Sequence, residues 1–166
     1  MPNVTSRALR VPADRRAPAA AREAVREVLV DSHLDDLLDD ALLLATELTT
    51  NAVIHVGAEI EIRIEAVAGG VTVSIRDNEP GELPQLGAVD VEAYPFANTG
   101  RGLMLVDRIA YRWGTTTDSE VKSVWFELVS EAFVDPSDTI EWATEPPAAG
   151  FVTWLRKRLG RQVAET

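Results

Sequence analysis

Glu47, Asn51 and His55 stand four residues apart in the run Glu47-Leu-Thr-Thr-Asn51-Ala-Val-Ile-His55. On a helix that spacing stacks a carboxylate, a carboxamide and an imidazole along one face. An amide oxygen is a suitable hard ligand for Mg²⁺, which keeps several waters and is shared with substrate phosphates. A carboxylate one turn earlier can take the proton of an attacking hydroxyl. Taken alone, Glu47 and Asn51 read as the solvated face of an amphipathic helix. The other face, Leu34, Leu38, Leu42, Ala45, Leu48, Ala52 and Val56, forms an apolar stripe at helical spacing.

Two further segments carry chemistry. Asp77-Asn78-Glu79-Pro80-Gly81 follows an alternating apolar run, so Asp77 is expected at the end of a strand, where an acid can accept a hydrogen bond from an exocyclic amine. The same residue types also form an ordinary turn. Thr99-Gly100-Arg101-Gly102-Leu103 leads into a second helical pattern. Glycines allow close approach of backbone to phosphate, and a helix N-terminus offers unbonded N–H groups to an anion. A single Gly-x-Gly is more often a loop-to-helix hinge.

The elements that must position these residues follow from periodicity. Residues 1–15 read as an extended arm or edge strand. Pro18 opens a helix in which Ala21, Val25, Val28 and Leu29 recur at helical spacing. Ser32 and Asp35 are spaced as a capping box for the next helix, whose first turns hold Asp35, Asp36, Asp39 and Asp40, favoured there by the helix dipole. After Gly57 the period becomes two: Ile60, Ile62 and Ile64, then Val71, Val73 and Ile75 across a Gly69-Gly70 turn, predict a half-buried antiparallel hairpin. Residues 77–100 are rich in Pro and Gly and read as a binding loop. A short helix starting at Gly102 turns Leu103, Val106 and Ile109 inward, and strands are expected at 111–115 and 121–129, joined by a turn at 117–120. Two helices, two strands, a helix and two strands predict an α/β two-layer (α+β) sandwich with helices on one face of a largely antiparallel sheet. Residues 1–129 make the domain. Residues 130–166 are a partly helical extension, with Phe151, Trp154, Leu155 and Leu159 beside Arg156, Lys157, Arg158 and Arg161, a pattern that fits docking on the domain or a partner or membrane surface.

The chain has 166 residues, 46% hydrophobic and 26% charged, which is enough for one domain with a core. It has no Cys, so disulfides and Cys-ligated metals are excluded. A net charge of -11 disfavours direct nucleic-acid binding. No apolar run suits a membrane span or secretory signal, so a cytoplasmic location and no membrane association are expected.

Taken together, the three segments resemble the GHKL (Bergerat) ATP-binding fold, and more closely its actinobacterial anti-sigma-factor serine kinase branch. The words that carry the resemblance are Glu47–His55, Arg76-Asp77, Gly100–Val106, Tyr111–Gly114 and Lys122–Leu128, spanning residues 7–129. The resemblance implies ATP and Mg²⁺ as cofactors, with Glu47 the general base and Asn51 the Mg²⁺ ligand. By the same likeness Asp77 binds the adenine amino group, and Gly81, Gly100, Arg101, Gly102 and Leu103 line the phosphates. Thr99 and Lys122 are further phosphate contacts, and His55, which closes the motif, is either structural or at the pocket edge. It also implies partners: a serine-bearing STAS-domain anti-anti-sigma protein, a sigma factor, and a second copy pairing near residues 4–11. One departure stands out. In the Asp-x-Gly-x-Gly box of that family, Glu79 replaces the first glycine, placing a negative charge where phosphate would lie. This favours the competing expectation of a protein-binding module that holds nucleotide weakly or not at all. A detached sensor-kinase ATPase domain is a third reading, although no helical segment with a phospho-accepting His accompanies it.

Overall fold

A computed structural model of the chain describes residues 4–55, 58–77, 99–118 and 121–133. Strand β1 (Thr5–Pro12) is followed by helix α1 (Ala17–Asp31), a 3-10 turn at Asp35–Leu37 and helix α2 (Leu38–His55). Strands β2 (Glu59–Val67) and β3 (Gly70–Asp77), helix α3 (Thr99–Ile109), strands β4 (Arg112–Asp118) and β5 (Val121–Val129) and a 3-10 turn at Glu131–Phe133 complete it. The five strands form one sheet in the order β1-β2-β3-β5-β4, and every pairing is antiparallel.

The two-layer expectation is met. Side chains alternate along each strand, so one face of the sheet carries Ile60, Ile62, Ile64, Val71, Val73 and Phe126, all fully buried. All three helices contribute to the same core: Val25 and Leu29 from α1, Leu44 and Leu48 from α2, Leu103 and Val106 from α3. The β2–β3 hairpin turns at Gly69, whose φ of +82 is open to glycine at little cost. Phe133 packs directly over that turn, so a Cβ at residue 69 would collide with the Phe133 ring.

Several expectations change. Ser32 does not cap the second helix. It closes α1, and its Oγ is buried without a hydrogen-bond partner among the described residues. His33 takes a positive φ of 56 and lets the chain reverse before the 3-10 turn, whose start has no side-chain cap. The buried stripe of α2 is Ala41, Leu44, Ala45, Leu48 and Thr49, rotated from the expected one, while Leu38, Leu42 and Ala52 lie at its margin. Leu34 is buried ahead of the helix, and Val56 lies outside the described residues. Helix α2 packs chiefly against α1 and α3, and small Ala41 and Ala45 allow a close approach that larger residues would prevent. Helix α3 begins at Thr99, three residues before the expected start, and β4 extends through Asp118. The expected turn residues Thr117 and Asp118 therefore pair with Lys122 and Val121. Gly81 and Glu79 lie outside the described residues, as does the extension beyond Phe133.

Candidate functional site

Helix α2 is the platform of the site. Its buried stripe fixes its rotation on the sheet, and this leaves Glu47 and Asn51 half-buried along one edge. His55 ends the helix in an exposed position, at the edge of the constellation. Thr49, between the two site residues, points into the core, fully buried and without a hydrogen-bond partner for its Oγ among the described residues.

Helix α3 packs on α2 and brings the glycine segment to it. An ideal Cβ on Gly102 would lie 2.9 Å from Glu47 Oε2 and 3.1 Å from Asn51 Nδ2. Residues 47, 51 and 102, distant in sequence, therefore meet at one point. Thr99, Gly100, Arg101 and Gly102 form the first turn of α3, where backbone N–H groups have no helical acceptor. Such a turn suits an anion, and the helix dipole adds to the attraction. Leu103, the next residue, is buried and anchors this turn to the core rather than lining a surface.

Burial raises the Glu47 carboxyl above its ordinary range, and desolvation is the cause. A carboxylate held in this way is a stronger base when ionised. Among the described residues no three His, Asp or Glu side chains are grouped closely enough to hold a metal alone. A Mg²⁺ ion held by one protein oxygen and shared with phosphates needs no such cage, and the Asn51 amide has the donor chemistry for it. The space that an added Cβ at residue 102 would fill lies directly against that amide. When bound, the ion would neutralise charge on the phosphate oxygens.

Asp77 ends β3 on the helix-facing side of the sheet, in register with Ile60 on one side and Lys122 on the other. The Lys122 Nζ lies 3.7 Å from Asp77 Oδ1, and the two side chains are only 13% and 14% exposed. Lys122 was expected on the phosphates; the structure pairs it with the strand-terminal acid. The antiparallel register that creates this pair involves residues 45 apart, and no local sequence signal shows it. A second pair that sequence reasoning missed is Arg112 with Glu127, whose carboxylate accepts from Arg112 Nη2 at 2.8 Å while Glu127 is fully buried. In the alternating pattern of β5, Glu127 reads as an ordinary outward-facing residue.

Among the described residues no helix is long and apolar enough to cross a membrane. No curated protein matches the chain. The family model for the histidine kinase-like ATPase domain matches residues 11–127, from Val11 in β1 to Glu127 in β5. Domains of this family bind ATP, typically with Mg²⁺, and the matched span contains Glu47, Asn51, Asp77, Gly102 and Lys122. The chain belongs to the family of histidine kinase-like ATPase domains.

Proposed function

We propose that the chain is a protein serine kinase of the anti-sigma type. It binds ATP with Mg²⁺, transfers the γ-phosphoryl group to a serine of a STAS-domain partner, and holds a sigma factor that this partner displaces. The observation that carries the reading is the meeting of Gly102 with Glu47 and Asn51, which sets a carboxylate base, an amide ligand and a helix N-terminus around one point. Asp77 accepts a hydrogen bond from the adenine amino group. The backbone N–H groups of the first α3 turn bind phosphate oxygens, where charge grows during transfer. Glu47 takes the proton as the serine oxygen bonds to the γ-phosphorus, and ADP leaves.

The test is transfer of label from γ-labelled ATP to a STAS-domain protein encoded in the same genome, with Glu47→Gln as the comparison. A labelled serine that disappears in the variant supports the kinase reading. Label transfer that is unchanged in Glu47→Gln removes Glu47 from its role. A partner that binds tightly, takes no label and ignores ATP and Mg²⁺ replaces the kinase with a nucleotide-independent binding module, the outcome to which Glu79 would contribute.

A further inference from the structure

The Asp77–Lys122 pair is placed where a purely structural ion pair gains little. Both residues share the helix-facing side of the sheet with Ile60 in their own row and with Ile75 and Val124 in the row behind. Ile60 and Ile75 are buried, and Val124 packs against the core. Taking two charges out of water costs several kcal/mol per ion by general estimate, and a well-packed apolar pair often does as well or better. At 3.7 Å the two groups are held by charge rather than by a direct hydrogen bond. An ammonium has three N–H donors and an ionised carboxylate has acceptor sites on both oxygens, so each group can serve a ligand while keeping the other. An acceptor and a donor thus stand side by side at the margin of the buried apolar face of the sheet.

We propose that Lys122 is a base-reading residue: its ammonium donates to adenine N1 while Asp77 accepts from the adjacent N6 amine. This rests on the nucleotide-site reading above and assigns Lys122 to the base rather than to the phosphates. The edge of adenine offers a donor next to an acceptor, matching the carboxylate and the ammonium in turn. Hypoxanthine presents the opposite pattern, with O6 facing Asp77 and N1–H facing Lys122. A site built of buried polar groups rejects such a ligand strongly because neither group finds its complement on the base.

The test is calorimetric titration of the full chain, with Mg²⁺, using ATP, its 1-deaza analogue and inosine triphosphate, on the parent and on Lys122→Met. The expected result is that Lys122→Met weakens ATP about tenfold, in line with one charged hydrogen bond. The 1-deaza analogue, which has no N1 acceptor, binds the parent and the variant alike, and the preference for ATP over inosine triphosphate narrows in the variant. Equal loss for ATP and the 1-deaza analogue, or no loss for either, overturns the proposal while leaving the nucleotide site standing. A parent chain that binds no ATP at millimolar concentration overturns the nucleotide-site reading and this proposal with it. If Lys122→Met does not fold by circular dichroism, the parent alone decides: it must bind ATP about tenfold more tightly than the 1-deaza analogue, and equal affinity is the contrary result.

Discussion

Glu47 joins folding and chemistry in one side chain. Its folded-state pKa is raised by burial, so the protonated form is the one the fold prefers. Its favourable contribution to stability is therefore complete below the unfolded pKa and is lost as pH rises through the folded pKa. At neutral pH the ionised carboxylate is a burden on the fold that the proposed base role would require. Glu47→Gln should accordingly melt at a higher temperature than the parent at pH 7, with the gap closing on acidification, while phosphoryl transfer falls by about 100-fold or more. In the parent, transfer should rise with pH through the raised pKa and then level off. Thermal melts and transfer rates across the same pH series check both statements. Gly102 gives a second prediction. Gly102→Ala would bring a methyl group against the Glu47 and Asn51 side-chain tips, and the flexible Glu47 tip can move aside. Alanine also gains about 0.5–1 kcal/mol in a helix over glycine. Global stability should stay within about 1 kcal/mol of the parent, while Mg²⁺-dependent ATP binding weakens about tenfold because Asn51 is displaced. A large loss of stability with intact binding would show that residue 102 serves packing alone.

Paired strands bring together what single residues cannot. The Arg112–Glu127 pair joins β4 to β5, with Arg112 only 18% exposed and Glu127 fully buried. Removing one partner of such a pair leaves a buried charge short of compensation, and about 3 kcal/mol of destabilisation is expected for Arg112→Met in urea unfolding. The double variant Arg112→Met with Glu127→Gln should recover part of that loss, since the buried carboxylate that Arg112 pairs with is then neutral. This level is also where sequence reading reached its limit. The period-two runs of β2 and β3 and the inward Leu103 and Val106 of α3 were legible because each depends on a local pattern, whereas residues 1–15 read as either an extended arm or an edge strand until pairing with β2 decides for the strand. Glu47 and Asn51 were legible as neighbours because helical spacing alone brings them together. The capping role expected of Ser32 failed because Ser-x-x-Asp is a short signal that a tertiary reversal at His33 overrides. The contacts of Asp77 with Lys122 and of Gly102 with Glu47 depend on strand register and on helix packing, which are set by the whole core.

The net charge of -11 acts on the site from a distance. ATP and its Mg²⁺ complex are anions, so a nucleotide approaching this surface meets repulsion before it reaches the first turn of α3. The pair of Lys122 with Asp77 is neutral and does not offset that field at long range. Screening reaches about 30 Å at 0.01 M salt and about 10 Å at 0.1 M. Raising ionic strength from about 0.01 M to about 0.15 M should therefore strengthen ATP binding by a few-fold, chiefly through a faster association rate. The opposite sign is expected for a basic protein partner, whose attraction to the acidic surface weakens over the same range. Stopped-flow association of a fluorescent ATP analogue and of the partner, measured across one salt series, separates the two. If nucleotide association slows as salt rises, cations local to the first turn of α3 dominate over the net charge in the approach of ATP.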